Sequence, residues 1–250
     1  MVTVTVVLAA VLLLGAATEA GKKVIPSYVH VCKKNDPNFD SCVLKSVDSL
    51  RPHLLKGIPK MHVPPYDPLV IPALDVVRDL EALKVKASMK DITAYGANGF
   101  VVDKFKTDIE GLSVEMAVTL PKLYATCEYD VDGQLLVVPL KGKGFFKGNF
   151  TDVKVQMSGK GKIVTKDDVK YVEATTIKAK LSVGGSEVDF GNHDNSTRAI
   201  AESAANFINQ NMRQVLDVVR PVAEETVEEV ALQIANSIFL HLPYDEILPE

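Results

Sequence analysis

The apolar positions of this chain fall into two regimes. Between Thr197 and Leu240 they recur in steps of mostly three and four: Ile200, Ala204, Phe207, Ile208, Met212, Val215, Leu216, Val219, Val222, Val227, Val230, Ala231, Ile234 and Ile238. That is the spacing of one helical face. Glu202, Arg213, Asp217 and the glutamates 224, 225, 228 and 229 fall largely off the stripe, and the glutamates read as a solvated face. The stretch predicts one amphipathic helix of roughly 65 Å. Pro221 removes a backbone donor from its middle. The stripe keeps its phase through the proline, so one helix kinked there is expected rather than two helices broken at Arg220-Pro221. Asp194, Asn195 or Ser196 is placed to cap its start, and His241-Leu242-Pro243 ends it. Ala, Met and Phe interrupt any heptad of branched residues, which argues against a coiled-coil seam.

From about Val85 to Phe190 the period becomes two. Leu112, Val114, Met116, Val118 and Leu120 alternate with mostly polar neighbours, as do Val153, Val155 and Met157, and Ile177, Ala179, Leu181 and Val183. These are long antiparallel strands with one dry face. Asn98-Gly99, Asp132-Gly133 and Gly184-Gly185 are the expected hairpin turns. Upstream, Ser41–Lys56 reads as a helix, Ile58–Leu74 as a proline-rich extended connector, and Asp75–Leu83 as room for a helical turn. A meander with one apolar face and a helix with one apolar stripe hide both by curling the sheet around the helix. The expected fold is α+β, a single domain of long C-terminal helix wrapped by a strongly curved antiparallel sheet. A gap between helix and sheet would suit an elongated apolar ligand; a fully packed core gives the same pattern.

Composition narrows this picture. Hydrophobic residues make up 47% of the 250, and the net charge of -4 leaves no basic footprint for nucleic acid. Val2 to Leu14 is almost wholly apolar and runs into small residues up to Ala20, so residues 1–20 are expected to be a cleaved signal peptide and 21–250 the mature domain. The run is short for a membrane span, so a secreted protein without stable membrane insertion is expected. Cys32 and Cys42 can close a small loop in an oxidising compartment. Cys127 shares a strand phase with Leu123, Ala125 and Tyr129 and reads as a buried free thiol. Asn149-Phe150-Thr151 and Asn195-Ser196-Thr197 are glycosylation sequons, with acceptors Asn149 and Asn195.

Signals for chemistry are weak. Gly142-Lys143-Gly144-Phe145-Phe146-Lys147-Gly148 has its third glycine one position late for a dinucleotide loop and no helix after it, so strand glycines at a bend are expected. Gly159-Lys160-Gly161-Lys162 lacks the remainder of a phosphate-binding loop, no Gly-x-Ser-x-Gly elbow occurs, and the histidines lack metal spacing. No carboxylate pair is singled out. A non-enzyme without cofactor or metal is expected.

Several short motifs then fall in one order: Cys32-(x9)-Cys42, Ser46-(x3)-Leu50-Arg51-Pro52, Gly57-Ile58-Pro59, Pro64-Pro65-(x2)-Pro68-Leu69, Tyr129-(x3)-Gly133-(x)-Leu135-Leu136-(x2)-Pro139-(x2)-Gly142-(x)-Gly144, and Leu242-Pro243-Tyr244-Asp245-Glu246. Together, across essentially the whole mature chain, they resemble the takeout and juvenile hormone-binding protein family of insects. The resemblance implies a TULIP-like fold, related to lipid-binding proteins of the bactericidal/permeability-increasing type. It places the family's N-terminal disulfide on Cys32 and Cys42. Juvenile hormone-binding proteins proper carry a second disulfide, and the unmated Cys127 puts the chain closer to the takeout branch. The resemblance further implies a monomeric extracellular carrier, in hemolymph or another fluid, with a tunnel for a juvenile hormone, a fatty acid or a related lipid. Circadian, feeding, mating or chemosensory physiology is the expected setting, and a receptor or carrier partner of unknown identity is allowed. The residues expected to line the tunnel come from the dry strand phases, Leu112, Val114, Met116, Leu123, Val153, Val155, Ile177 and Leu181, with Phe207, Val215 and Val222 from the helix. The competing reading is a secreted protein-interaction module without a lipid ligand.

Overall fold

The computed structural model describes residues 25–250; the expected signal peptide lies outside them. Helix α1 (Phe39–Leu54) is followed by six strands, β1 (Leu69–Leu80), β2 (Leu83–Tyr95), β3 (Val101–Asp108), β4 (Ser113–Leu135), β5 (Val138–Lys166) and β6 (Val169–Asn192). Helices α2 (Arg198–Gln210), α3 (Met212–Phe239) and the short α4 (Tyr244–Ile247) complete it. The sheet is antiparallel throughout, ordered β1-β2-β4-β5-β6. β4 pairs β2 along its C-terminal half and β3 along its N-terminal half, so β2 and β3 lie end to end beside it. β5 runs 29 residues, about 95 Å of strand at 3.3 Å per residue, against about 42 Å for α3. A strand that long with one dry face covers such a helix by curling around it.

The turns fall differently from the glycine pairs. Asn98-Gly99 does lie in a turn, the 3-10 segment Ala97–Gly99 between β2 and β3. Asp132-Gly133 lies inside β4, where a Cβ on Gly133 would sit 2.1 Å from the Lys84 carbonyl oxygen. The glycine permits a close strand approach there, and the chain reverses instead at Leu136-Val137. Gly184-Gly185 likewise lies inside β6, and β5 turns into β6 at Asp167-Asp168. Both aspartates have positive φ, 50° and 61°, the backbone of a two-residue hairpin turn that aspartate tolerates. The helical turn expected over Asp75–Leu83 is strand, because Val76 and its neighbours pair in register with β2.

The expected single helix is two. It breaks at Asn211 (φ -116°, ψ 30°), whose side-chain amide and backbone N–H both donate to the Phe207 carbonyl, at 2.8 and 2.9 Å. The Phe207 carbonyl thus keeps its helical N–H partner and takes the side-chain amide on its second lone pair. Pro221 is continuous α-helix within α3 and exposed. The carbonyl that loses its partner there is that of the exposed Asp217, which water can serve.

The helices also seal the free edge of β6. The Asn209 amide accepts from Val188 N–H (2.8 Å) and donates to the Val188 carbonyl (2.9 Å). Asn236 does the same to Ala174, at 2.8 and 3.0 Å. Between them Glu224 accepts from Leu181 N–H and Glu228 from Ala179 N–H, both at 2.9 Å. Glu224 and Glu228 are therefore not on a solvated face: Glu224 is buried, and the two carboxylates stand in for strand partners along an otherwise open edge. Lys180 and Lys178 complete the pairs from β6. Glu225, one position on, pairs instead with Arg78 of β1, so neighbouring glutamates reach both margins of the curled sheet.

Candidate functional site

The strands curl over α2 and the first half of α3 and leave a cavity of about 480 Å³, within the range of small-molecule sites. Its roof is the half of the sheet made by the C-terminal part of β4 (Ala125, Cys127, Tyr129, Val131, Leu135), the start of β5 (Leu140, Phe146, Phe150) and the end of β6 (Val188, Phe190). Ile71 and Leu74 of β1, with Leu83, Ala87, Met89 and Ile92 of β2, close one side. The floor is Ile200, Ala201, Ala204 and Ile208 of α2, then Met212, Val215, Leu216 and Val219 of α3. Ala201 and Ala204 are buried small residues facing large strands; a helix face of alanines leaves space that leucines would fill.

Part of the wall is close-packed core. Leu83, Leu135 and Val215 form a buried cluster, with Phe207, Val218 and Val222 against it. The aromatic wall is built by Phe146 and Phe190, with ring centroids 5.3 Å apart, and by Tyr129 edge-on to Phe190 at 5.7 Å. Those geometries suit ring quadrupoles. Tyr129 donates its hydroxyl to the Gly191 carbonyl (3.1 Å), so its polar end is served by the protein. Burial pushes the Tyr129 phenol up, with Asp189 and Cys127 adding to it. Burial, with Glu128 second, pushes the Cys127 thiol up to about 11. Both groups are neutral near pH 7. A mostly aliphatic and aromatic wall with a protonated thiol and an engaged phenol, reached also by Thr126, Lys141, Ser186 and Thr226, suits an apolar molecule.

Among the expected lining residues, Val215 faces this cavity. Phe207 and Val222 pack beside it. Val153 is buried, and Leu181 lines a neighbouring hollow between α3 and β6. Leu112 sits in the β3–β4 turn with φ 44°. Val114, Met116, Leu123, Val155 and Ile177 are half-buried and outside the cavity wall. Most of these strand residues belong to the other half of the sheet. Alternation reports which face of a strand is dry, and along β4–β6 the dry face extends far beyond the hollow. The phase even changes along β5: even-numbered positions such as Phe146 and Phe150 turn inward before Asp152, odd ones such as Val153 and Met157 after it, where Asp152 adopts φ 50°. Phe146, Phe150, Phe190 and the small face of α2 line the cavity and were not among the expected residues; aromatics on strands meet alanines on a helix there only once the chain is folded.

The cysteine reading holds in geometry. Cys32 and Cys42 are bonded, with Cα atoms 6.0 Å apart, and Cys127 is free and buried. His30 lies near the disulfide sulfurs, but bonded sulfurs offer no thiolate to a metal. The loop is tied down by Ser46, whose hydroxyl donates to the His30 carbonyl (2.7 Å), and by the C-terminal tail, where Lys34 N–H donates to the Pro249 carbonyl (2.9 Å). Leu242, in the ending motif, is 1% exposed. Arg51, from the helix motif, lies 3.8 Å over the Phe100 ring and donates to the Phe100 carbonyl (3.0 Å), fastening α1 to the β2–β3 connection. Asn149 on β5 and Asn195 ahead of α2 are both exposed. No helix among the described residues is long and apolar enough to cross a membrane.

The family described as haemolymph juvenile hormone binding protein (JHBP) matches residues 7–249. The circadian clock-controlled protein daywake of Drosophila melanogaster is 27% identical over 229 residues, covering 88% of this chain and 87% of that protein. A Schistocerca gregaria protein named "Putative beta-carotene-binding protein" is 22% identical over 224 residues, covering 88% of each. The crystal structure of Epiphyas postvittana Takeout 1 superposes with a TM-score of 0.69 at 21% identity, over 89% of this chain and all of that one; the likeness is one of fold. With a curled antiparallel sheet around a long C-terminal helix, and a family match running almost end to end, this chain belongs to the haemolymph juvenile hormone binding protein (takeout) family.

Proposed function

We propose that this protein is a secreted, non-enzymatic carrier that holds one small hydrophobic ligand, a juvenile hormone, fatty acid or related lipid, between its sheet and helices α2 and α3. The observation that carries the reading is the hydrocarbon-lined cavity of about 480 Å³. Burying about 300 Å² of ligand surface there is worth roughly 7 kcal/mol gross, less the cost of ordering the complex. The β-carotene named in one relative is a hydrophobic ligand of this kind, and the daywake relatives favour a setting in circadian physiology. Residues 1–20 are read as the export signal and 21–250 as the mature, monomeric domain, carrying glycans at Asn149 and Asn195.

The test is titration of the mature protein with an environment-sensitive apolar fluorophore. Ala204→Trp from the floor and Ala87→Trp from the side each place an indole in the hollow. Both are expected to weaken probe binding at least about tenfold while thermal midpoints stay within a few degrees, since the added bulk enters space rather than packed core. Two folded variants that bind like the wild type would overturn the cavity as the site and favour a protein-interaction role.

A further inference from the structure

Helix α3 presents two adjoining stripes. Met212, Val215, Leu216 and Val219 face the cavity. Arg213, Leu216, Asp217, Val219 and Arg220 face a second hollow of about 290 Å³, closed on the other side by Leu181, Ser182 and Val183 of β6. Leu216 and Val219 belong to both walls, so these two side chains are what separates cavity from hollow. The second hollow also lies at a gap between the hydrogen bonds of the helix–strand seam. Asn209 and Met212 hold β6 at Val188 and Ser186, and Glu224 takes hold again at Leu181. Among the described residues, no hydrogen bond joins Ser182–Gly185 to the helices, and the Gly184-Gly185 pair adds no side chains there. The charge at this mouth is uneven. Asp217 is taken by Arg220, whereas Arg213 is exposed and has no carboxylate partner among the described residues.

We propose that this seam is the doorway of the cavity and its head-group site, taking an amphipathic lipid with a single anionic head, a long-chain carboxylate. The inference rests on the carrier reading. The carboxylate sits on the Arg213 guanidinium and the hydrocarbon passes between Leu216 and Val219 into the cavity. One uncompensated cation matches one negative charge, and a doubly charged head such as a phosphate monoester would leave one charge unmatched. The guanidinium fork suits a carboxylate, and its exposure keeps the discrimination modest.

The experiment is displacement of an apolar fluorophore by palmitic acid and by methyl palmitate at low salt, on wild type and on Arg213→Ala, Arg213→Lys and Arg213→Glu. The acid is expected to bind wild type about fivefold or more tightly than the ester. Arg213→Ala should erase that preference and leave the ester unchanged, Arg213→Lys should keep most of it, and Arg213→Glu should reverse it. Equal binding of acid and ester to wild type, or a preference that survives Arg213→Ala, overturns the head-group site while ester binding leaves the carrier reading standing. Failure of both ligands on wild type overturns the two together.

Discussion

Cys127 is a reporter built into the cavity wall. The chain has 3 cysteines, two of them joined, so any thiol reagent reads this one position. Strand phase marked it as buried, because it shares a face of β4 with Ala125 and Tyr129, and the Cys32–Cys42 pair leaves it unmated. Phase could not say that the burial is against a hollow. With its pKa pushed up to about 11 by burial, the thiolate is scarce at neutral pH, and in that range labelling by an apolar maleimide should rise about tenfold per pH unit. Stopped-flow labelling across pH 7 to 9 checks this. Saturating ligand should suppress labelling at every pH, because the ligand occupies the same wall. Fast labelling that levels off at about pH 9 and is indifferent to ligand would place the thiol outside the cavity.

At the scale of elements, the antiparallel meander, the helix before it and the helical C-terminal region were all readable from periods of two and of three to four. The seal on β6 was not. Asn209 and Asn236 break the apolar stripe only as ordinary polar residues, and their bidentate pairing with Val188 and Ala174 depends on which strand ends up beside them. Asn236→Ala should cost about 1–3 kcal/mol in urea unfolding, since it strands a backbone donor and an acceptor at once. The same seal makes stability depend on acid. Hydrogen bonding to Leu181 N–H holds the Glu224 carboxyl below its ordinary range, and pairing with Lys178 does so for Glu228, with Ala179 N–H second. Groups depressed in the folded state stabilise it above the unfolded carboxylate range, near pH 4.5, and lose that contribution as pH falls through the folded values. Thermal midpoints from pH 7 down to pH 3 should therefore drop less steeply in Glu224→Gln/Glu228→Gln, which keeps acceptors but cannot titrate. An unchanged slope would mean these carboxylates do not bear on folding.

At the scale of the molecule, the wrapped architecture followed from matching one dry sheet face to one apolar helix stripe. The site did not follow as readily. The cleanest alternation, as in Val114–Leu120 and Val153–Met157, lies in the half of the sheet away from the cavity, while the half that encloses it is interrupted by Gly133, Gly142, Gly144 and Gly148 and by the polar Thr126. A regular pattern marks where side chains fill space; a hollow arises where large residues on strands meet small ones on α2, a relation between elements distant in sequence. Whether that hollow carries cargo is decided most directly by native mass spectrometry of the protein purified from its own tissue, with solvent extraction and lipid identification. Expected is one apolar molecule bound per monomer, released by extraction and reduced in the Ala204→Trp variant expressed alongside wild type. An empty protein that also takes up no fatty acid, terpenoid hormone or fluorescent lipid would contradict the carrier reading.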